Sequence, residues 1–305
     1  MTGRPDIAVV IVGINSREYV RGCLESLAQA DWRGYSHKIV YVDNASTDGS
    51  VPMVRQQFPD VDILANNHNA GFCGACNQAV EHADSRYVYL LNNDTVLFPD
   101  SLWPLAKFLD SMPQAAAAGN RLLNRDLTDQ WSARRFPSWI NAVFGRRTIF
   151  GRLFGESAVV RDYLYKSSFE KGEPFLVDWV PGSCTLVRRD AYLKAGSLPV
   201  DMHYWSDAVF CDRLKKLGWD IYVVPEARLI HYEGQGTGGK TPAVRRWLIS
   251  DFHRGAYRFY CEHYALGKYN PVRWLACAGL QGRAGTLIAA DAIRYRVRGT
   301  RTGEA

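Results

Sequence analysis

Three polar residues at the end of a buried strand are the first candidates for chemistry. Asn92, Asn93 and Asp94 directly follow the run at residues 87–91, Tyr-Val-Tyr-Leu-Leu, which predicts a strand buried in a sheet. The carboxyl ends of parallel strands form the ligand crevice of open α/β sheets, so Asp94 is placed to hold a metal ion or a hydroxyl. The three are also ordinary turn residues, and a turn without function is equally compatible with them.

A second carboxylate, Asp43, follows another predicted strand, Lys-Ile-Val-Tyr-Val at residues 38–42. A carboxylate there can accept a hydrogen bond from a ribose hydroxyl, or from the imide N–H of uracil or thymine. Asp43 is therefore a candidate for holding a nucleoside.

The elements that must position these carboxylates alternate in type. Strands are predicted at residues 7–14, 38–42, 61–65 and 87–91, with the third at an edge, and helices at 17–27, 51–58 and 75–83. This alternation predicts a parallel, doubly wound sheet, with the polar strand ends meeting in one crevice; those ends carry Asn15, Asp43, Asn69 and Asp94. Neither GxGxxG nor GxxxxGK[ST] follows the first strand, which argues against a dinucleotide dehydrogenase and a P-loop NTPase.

Composition indicates a globular protein of a reducing compartment. The chain has 305 residues, of which 47% are hydrophobic and 22% charged, enough to build a sizeable core. Its seven cysteines are scattered, with one CxxC at Cys73 and Cys76, and the opening residues lack the pattern of a signal peptide. We therefore expect a cytoplasmic protein.

The positive charge is concentrated near the end of the sequence. Residues 240–305 hold 12 Lys and Arg against 4 Asp and Glu, whereas residues 1–239 hold 25 against 27. Basic, aromatic-rich helices suit the inner face of an anionic membrane or a phosphate-bearing acceptor better than nucleic acid. Packing against the rest of the chain or a second subunit, or a simply solvated face, are the alternatives. Arg273 and Arg283 interrupt the last apolar stretch, which is too short to span a membrane.

Four motifs together resemble family 2 glycosyltransferases, inverting enzymes of the GT-A fold, and most closely the bacterial rhamnosyltransferase-like branch. Each motif alone is weak, and their order and spacing carry the resemblance. They are Ile-Val-Gly-Ile-Asn at 11–15, Val-Asp-Asn-Ala-Ser-Thr-Asp-Gly-Ser at 42–50, Asn-Ala-Gly-Phe-Cys-Gly-Ala-Cys-Asn at 69–77 and Leu-Asn-Asn-Asp-Thr at 91–95.

The resemblance implies a role for particular residues. Asp207 falls on the catalytic base, and Asp94 with His231 on the ligands of Mg²⁺ or Mn²⁺. Asp43 matches the residue that contacts the nucleotide base. Further positions that the resemblance implies to bind the nucleotide are Gly13, Asn15, Asn69, Gly71, Asn92 and Asn93. The acceptor side falls on Trp179, Gly182 and Trp205.

Some positions depart from the family pattern, and others can be interpreted as structural residues without a catalytic role. Ser206 stands where many members have Glu, and Val209 where many have a second Asp. On its residues alone Asp207 is a helix cap, and His231 a structural histidine after an apolar run. The loop at 130–139, rich in arginine and aromatics, suits either a diphosphate contact or plain surface. Residues 144–165 are compatible with an amphipathic lid or an acceptor-side segment.

The sequence therefore predicts an α/β protein of the GT-A type, with a mostly parallel central sheet flanked by helices and a C-terminal helical extension. We expect a nucleotide-sugar-binding half at 1–120, an acceptor-binding and catalytic half at 121–239 and a basic extension at 240–305. The predicted activity is metal-dependent, inverting transfer of a sugar, with rhamnose from dTDP-rhamnose as the best choice, to a hydroxyl of a bacterial glycan or glycolipid. The alternatives are a UDP-sugar donor and a catalytically inactive nucleotide-sugar-binding protein. A pyrophosphorylase-like enzyme would need a glycine- and lysine-rich loop that residues 12–17 do not supply.

Overall fold

The computed structural model describes residues 3–137, 158–232 and 241–301. Nine strands within these ranges form one mixed sheet. They are β1 (Ile7–Gly13), β2 (His37–Asn44), β3 (Asp62–Asn66), β4 (Tyr87–Asn92), β5 (Thr95–Leu97), β6 (Ala115–Leu123), β7 (Phe175–Leu176), β8 (Cys184–Arg188) and β9 (Asp220–His231).

The first half of the sheet is parallel, as predicted. The strand order is β3-β2-β1-β4-β8-β6-β9-β5, with β7 also paired to β9. Strands β1 to β4 pair in parallel, and β3 lies at the edge as expected. Strand β8 runs antiparallel between β4 and β6, and β5 runs antiparallel to β9. Gly13 pairs with Asp43, and Val12 with Asn92, so the polar strand ends are aligned.

The burial of strand β1 on both faces explains its continuous apolar sequence. All seven of its residues are buried. Ala8 and Val10 pack into the apolar layer on one face of the sheet, whereas Ile7 and Val9 pack into the layer on the other face. A strand covered on both faces has no side that favours polar residues.

Ten helices accompany the sheet within the described ranges. They are α1 (Arg17–Ala28), α2 (Ser50–Gln57), α3 (Gly71–His82), α4 (Trp103–Ser111), α5 (Ala158–Tyr163), α6 (Lys166–Lys171), α7 (Arg189–Lys194), α8 (Ser206–Lys216), α9 (Pro242–His263) and α10 (Pro271–Arg301). Most of the segment expected to form a lid, residues 144–157, lies outside the described residues.

Helix α3 begins about one turn earlier than predicted. The Asn69 side-chain oxygen accepts a hydrogen bond from the Gly71 N–H (2.9 Å), and Gly71 has a φ of +72°, so this short turn already starts the helix. Both residues of the CxxC pair therefore lie in α3, where they are buried. Burial raises the pKa of the Cys73 thiol to about 11, so it is protonated at neutral pH.

The two C-terminal helices have different surroundings. Phe259 of α9 is buried against the core, 5.6 Å from the ring of Trp205, and His263 of α9 lies 2.7 Å from the Asp212 carboxylate of α8. Packing against the rest of the chain is thus observed for α9, whereas α10 packs along α9. In the described part of the chain, no helix has the length and apolar character needed to cross a membrane.

Candidate active site

The end of β2 forms one side of the crevice. Asp43 is almost completely buried, and its two oxygens accept hydrogen bonds from the Tyr41 hydroxyl (2.9 Å) and the Ser46 N–H (2.8 Å). Each carboxylate oxygen has a second lone pair, so Asp43 can still accept a hydrogen bond from a ligand. A Cβ on Gly13 would lie 2.7 Å from the Tyr41 hydroxyl oxygen. Glycine is therefore required beside Asp43.

The asparagines predicted to bind nucleotide also shape the loops around it. The Asn15 side-chain oxygen accepts from the Thr47 N–H (2.8 Å), and the Asn15 N–H donates to the Ser46 hydroxyl (2.9 Å). These bonds join the loops that follow β1 and β2. Buried Asn44, which the sequence analysis did not single out, accepts a hydrogen bond from the Ala70 N–H and so holds the loop containing Asn69.

Asp94 and His231 are brought together by an antiparallel strand pair. Thr95 of β5 pairs with His231 of β9, and the Tyr232 N–H donates to the backbone oxygen of Asp94 (2.8 Å). The Oδ1 atom of Asp94 is buried, has no hydrogen-bond partner among the residues described, and lies 3.4 Å from Nε2 of His231. A buried carboxylate oxygen without a donor requires an explanation, such as a cation.

Gln130 determines which nitrogen of His231 faces Asp94. The Gln130 amide nitrogen donates to the His231 backbone oxygen, which leaves its Oε1 facing Nδ1 of the ring at 3.0 Å. Because Oε1 can only accept, Nδ1 carries the hydrogen, and in the neutral ring Nε2 therefore presents its lone pair towards Asp94. Two lone-pair atoms at this distance suit a shared cation.

The donor atoms of Asp94 and His231 fit a divalent ion. One carboxylate oxygen and one imidazole nitrogen are suitable donors, and Mg²⁺ or Mn²⁺ commonly takes one or two carboxylates with phosphate and water oxygens. No group of three or more His, Cys, Asp or Glu suited to a metal occurs among the residues described. The pair therefore fits an ion whose remaining ligands come from a substrate. Asn92 Nδ2 lies 3.4 Å from the same Nε2, whereas Asn93 donates to the Ser16 hydroxyl (2.7 Å).

Asp207 lies in the first turn of α8 and is not the helix cap. Trp205 occupies the N-cap position, with a φ of +73°. The Asp207 carboxylate accepts a hydrogen bond from the Ala208 N–H (2.9 Å). Burial raises the pKa of Asp207, while the Arg134 charge and the N–H groups of Ala208 and Gly182 act in the opposite direction. A carboxyl with a raised pKa is better suited to take a proton.

Gly182 connects Asp207 to the end of β4. The position that a Gly182 Cβ would occupy is 3.7 Å from the Asp207 Cβ and 3.8 Å from the Phe72 ring. The next residue, Ser183, accepts a hydrogen bond from the Asn92 N–H (2.8 Å). The catalytic candidate thus borders the same sheet edge as the metal candidates.

The predicted acceptor-side tryptophans lie beside each other. The ring centroids of Trp179 and Trp205 are 6.4 Å apart, and the guanidinium carbon of Arg134 lies 4.9 Å from the Trp179 ring centre. The Trp205 indole N–H is buried, and no hydrogen-bond partner for it lies in the described part of the chain. The Trp205 ring also packs against Phe252 and Phe259, so the two tryptophans form a wall of the site, and Arg134 adds a charge suited to a phosphate.

Helix α9 supports this side of the site, which sequence reasoning missed. The buried Asp251 carboxylate accepts hydrogen bonds from the N–H groups of His203 and Tyr204, just before Trp205. A Cβ on Gly255 would lie 2.7 Å from the Tyr204 backbone oxygen. An aspartate and a glycine within an amphipathic helix give no signal of this role in the sequence. Gln130 and Arg134, in contrast, lie in the arginine-rich loop at 130–139 that the sequence analysis identified.

Comparison with known proteins connects this geometry to a family. The model of the family described as Glycosyl transferase family 2 matches residues 8–193. The chain is 27% identical over 304 residues to the N-acetylglucosaminyl-diphospho-decaprenol L-rhamnosyltransferase of Mycobacterium tuberculosis, with 96% of each protein covered.

Two solved structures share the fold. The mannosyltransferase PcManGT of Pyrobaculum calidifontis, in complex with GDP-Man and Mn²⁺, has a TM-score of 0.56 at 19% identity, covering 99% of this chain and 83% of its own. TarS 1-349 of S. aureus in complex with UDP has a TM-score of 0.52 at 14% identity, covering 87% and 73%. The predicted GT-A fold is confirmed. Because the family match also spans more than half of the sequence, the chain belongs to glycosyl transferase family 2 and is a glycosyltransferase.

Proposed function

We propose that the chain is an inverting, metal-dependent rhamnosyltransferase that moves rhamnose from dTDP-rhamnose to a hydroxyl of a lipid-linked bacterial glycan. The observation that supports this proposal is the buried Asp94 oxygen 3.4 Å from His231 Nε2, at the strand end that Gly182 and Ser183 connect to Asp207. The similarity over nearly the full length to a rhamnosyltransferase whose name specifies a diphospho-decaprenol substrate supports the choice of sugar and acceptor.

In this mechanism Asp207 removes the proton from the acceptor hydroxyl. The hydroxyl oxygen bonds to the anomeric carbon from the face opposite the diphosphate, and the bond from that carbon to the diphosphate oxygen breaks. The proton stays on Asp207, the nucleoside diphosphate departs, and the configuration at the anomeric carbon inverts. Trp179 and Trp205 are proposed to hold the acceptor sugar, and Arg134 an acceptor phosphate.

Asp94 and His231 are proposed to hold the divalent ion. When bound, Mg²⁺ or Mn²⁺ supplies positive charge that neutralises the departing diphosphate. Residues 1–120 are proposed as the nucleotide-sugar half, 121–239 as the acceptor and catalytic half and 240–305 as the extension. A cytoplasmic enzyme at the inner face of the membrane suits a lipid-linked acceptor.

The nucleotide proposal rests on Asp43, whose carboxylate can accept from the imide N–H of thymine or uracil. A thermal-shift screen of dTDP, UDP and GDP with Mg²⁺ or Mn²⁺ tests it, since a ligand that binds the folded state raises the melting temperature. A shift largest for UDP would replace the dTDP donor with a UDP-sugar.

The competing function is an inactive nucleotide-sugar-binding protein, which the departures at Ser206 and Val209 favour. Hydrolysis of a nucleotide-sugar panel, followed by product detection with candidate acceptors, separates the two functions. Binding without hydrolysis or transfer for every donor would support the inactive protein.

Gln130 provides a test of the metal proposal that does not depend on turnover. We expect Gln130→Ala to weaken Mn²⁺ binding by about 10–100-fold, because the His231 ring loses the acceptor that fixes its Nδ1–H. Titration of Mn²⁺, followed by the paramagnetic resonance of the free ion, measures this directly. Gln130→Glu keeps an acceptor for Nδ1–H but loses the N–H that donates to the His231 backbone oxygen, so it is expected to retain more of the affinity than Gln130→Ala. Equal weakening in both variants would contradict the positioning role.

Arg134 provides a test of the base. Its positive charge lowers the pKa of Asp207 against the effect of burial. Arg134→Gln should therefore raise the pKa of Asp207 further. A base with a higher pKa becomes protonated, and so inactive, at a higher pH. We expect the acid limb of the kcat/KM profile to move to higher pH, whereas Arg134→Lys should leave it nearly in place. An unchanged acid limb in Arg134→Gln would argue against this coupling.

A further inference from the structure

The outward surface of α10 has a composition that is unusual for a surface facing water. Its outer face is defined by six exposed residues spaced three or four apart: Leu275, Ala278, Gly282, Thr286, Ala289 and Ile293. From residue 271 to 293, no exposed residue of α10 is charged. The Thr286 hydroxyl donates to the Arg283 backbone oxygen. Helix faces in contact with water normally carry charged or polar residues.

Two charged residues of this helix, Arg273 and Asp291, are paired with residues of α9. Arg273 Nε donates to the Tyr257 hydroxyl (2.9 Å), and Asp291 accepts from Arg245 Nε (3.0 Å). Tyr257 and Arg245 belong to α9. Arg273 and Asp291 are thus held by α9, whereas the six residues of the α10 outer face are all uncharged.

Exposed apolar side chains are concentrated in this hairpin. Ten of the sixteen large hydrophobic side chains that are exposed in the described residues lie in residues 241–301. Leu275 and Ile293 are 73% and 62% exposed, and Trp274 beside them is 67% exposed. Tyr269 precedes the helix and Tyr295 lies near its far end, both exposed. Aromatic rings with a polar atom are typical of the boundary between lipid and water.

We propose that the α10 outer face docks on an anionic lipid bilayer. The stretch from residue 271 to 293, over which no exposed residue is charged, is about 33 Å long at the helical rise, and a helix with one such face lies in the plane of the interface. Lys268 and Arg254 are exposed on the same hairpin, and residues 240–305 have a net charge of +8. These cations attract anionic headgroups and would repel a second copy of the chain, so a bilayer is the better occupant.

The docking proposal deepens the proposed function, because a surface-bound enzyme can reach a lipid-linked acceptor. Binding to lipid does not require turnover, however. Failure of the membrane proposal and failure of the rhamnosyltransferase proposal are therefore distinguishable.

The test is flotation of the full-length protein with phosphatidylcholine vesicles, with and without added phosphatidylglycerol. We expect flotation with the anionic vesicles, and Leu275→Gln with Ile293→Gln should reduce it at least about tenfold by removing two apolar side chains from the buried face. Leu217→Gln, which replaces an exposed leucine outside the hairpin, should leave it unchanged. High salt screens the attraction between the basic residues and the anionic headgroups, so it should weaken binding. It should not abolish binding, because the insertion of apolar side chains also contributes.

Two results would overturn the proposal. One is the absence of flotation with both vesicle types. The other is a dimer in sedimentation velocity that Leu275→Gln dissociates, which would assign the outer face to a second copy. Circular dichroism of each variant checks that a loss of flotation does not come from unfolding. Since these side chains are exposed, all variants should fold.

Discussion

Asp207→Asn is expected to reduce sugar transfer by about three orders of magnitude, in the range that general base catalysis contributes. The asparagine side chain has nearly the same shape but cannot take the proton from the acceptor hydroxyl. Donor binding should survive, because Asp207 contacts Gly182 and Ala208, whereas Asp43 is held by Tyr41 and Ser46. Single-turnover transfer assays, with calorimetry of donor binding, measure the two effects separately.

The same variant should not lose stability. Burial raises the pKa of Asp207, so the folded state binds this proton more tightly than the unfolded state. At pH values above the folded pKa the ionised carboxylate therefore disfavours folding, and this cost disappears as the pH falls below the unfolded value. A neutral asparagine removes it, and we expect an equal or higher melting temperature at neutral pH. Such a trade between stability and activity is typical of catalytic groups.

Asp212→Asn is the matched control, because Asp212 is also a buried carboxylate of α8. It accepts from His263 and pairs with Lys216, and we expect a lower melting temperature with transfer largely retained. If Asp207→Asn keeps turnover comparable to this control, Asp207 is not the base. If Asp207→Asn loses stability and donor binding together, its role is structural.

The placement of candidate residues at strand ends could be predicted from the sequence. Asp43 and Asp94 each follow an apolar run, and parallel pairing places such ends at one edge. The pairing of Asp94 with His231 depends instead on the antiparallel contact between β5 and β9. Those strands are far apart in the chain, and no local pattern specifies which distant segments pair. The resemblance to a family supplied that residue, whereas periodicity could not.

The acceptor side shows a second limit of sequence reasoning. Trp205 has a left-handed backbone conformation that a bulky residue rarely adopts. It is held there by contacts from α9, where Asp251 binds the preceding N–H groups. The basic composition of residues 240–305 drew attention to charge and not to this support. Likewise, an arginine-rich helical pattern does not reveal which side of α10 carries the charges, since that depends on how α10 packs along α9.

Asp94→Asn is expected to lower Mn²⁺-dependent affinity for the nucleoside diphosphate by about 100-fold or more, because even outer-shell changes at metal sites cost 10–100-fold. The substitution removes the negative charge at the buried Oδ1 that faces His231 Nε2. Calorimetry of dTDP binding, with Mn²⁺ and with EDTA, measures the effect. With EDTA the variant and the unmodified protein should bind equally weakly.

Asp43→Asn separates metal binding from nucleoside binding. Asp43 lies at the end of β2 and holds no candidate metal ligand among its hydrogen-bond partners in the structure described. Its substitution should weaken dTDP binding by a similar factor with Mn²⁺ and with EDTA, since a lost hydrogen bond to the base does not depend on the ion. Asp94→Asn should instead weaken dTDP binding only when the ion is present. If Asp94→Asn weakens binding equally in EDTA, the carboxylate acts through the fold of the β4–β5 turn and the ion is held elsewhere.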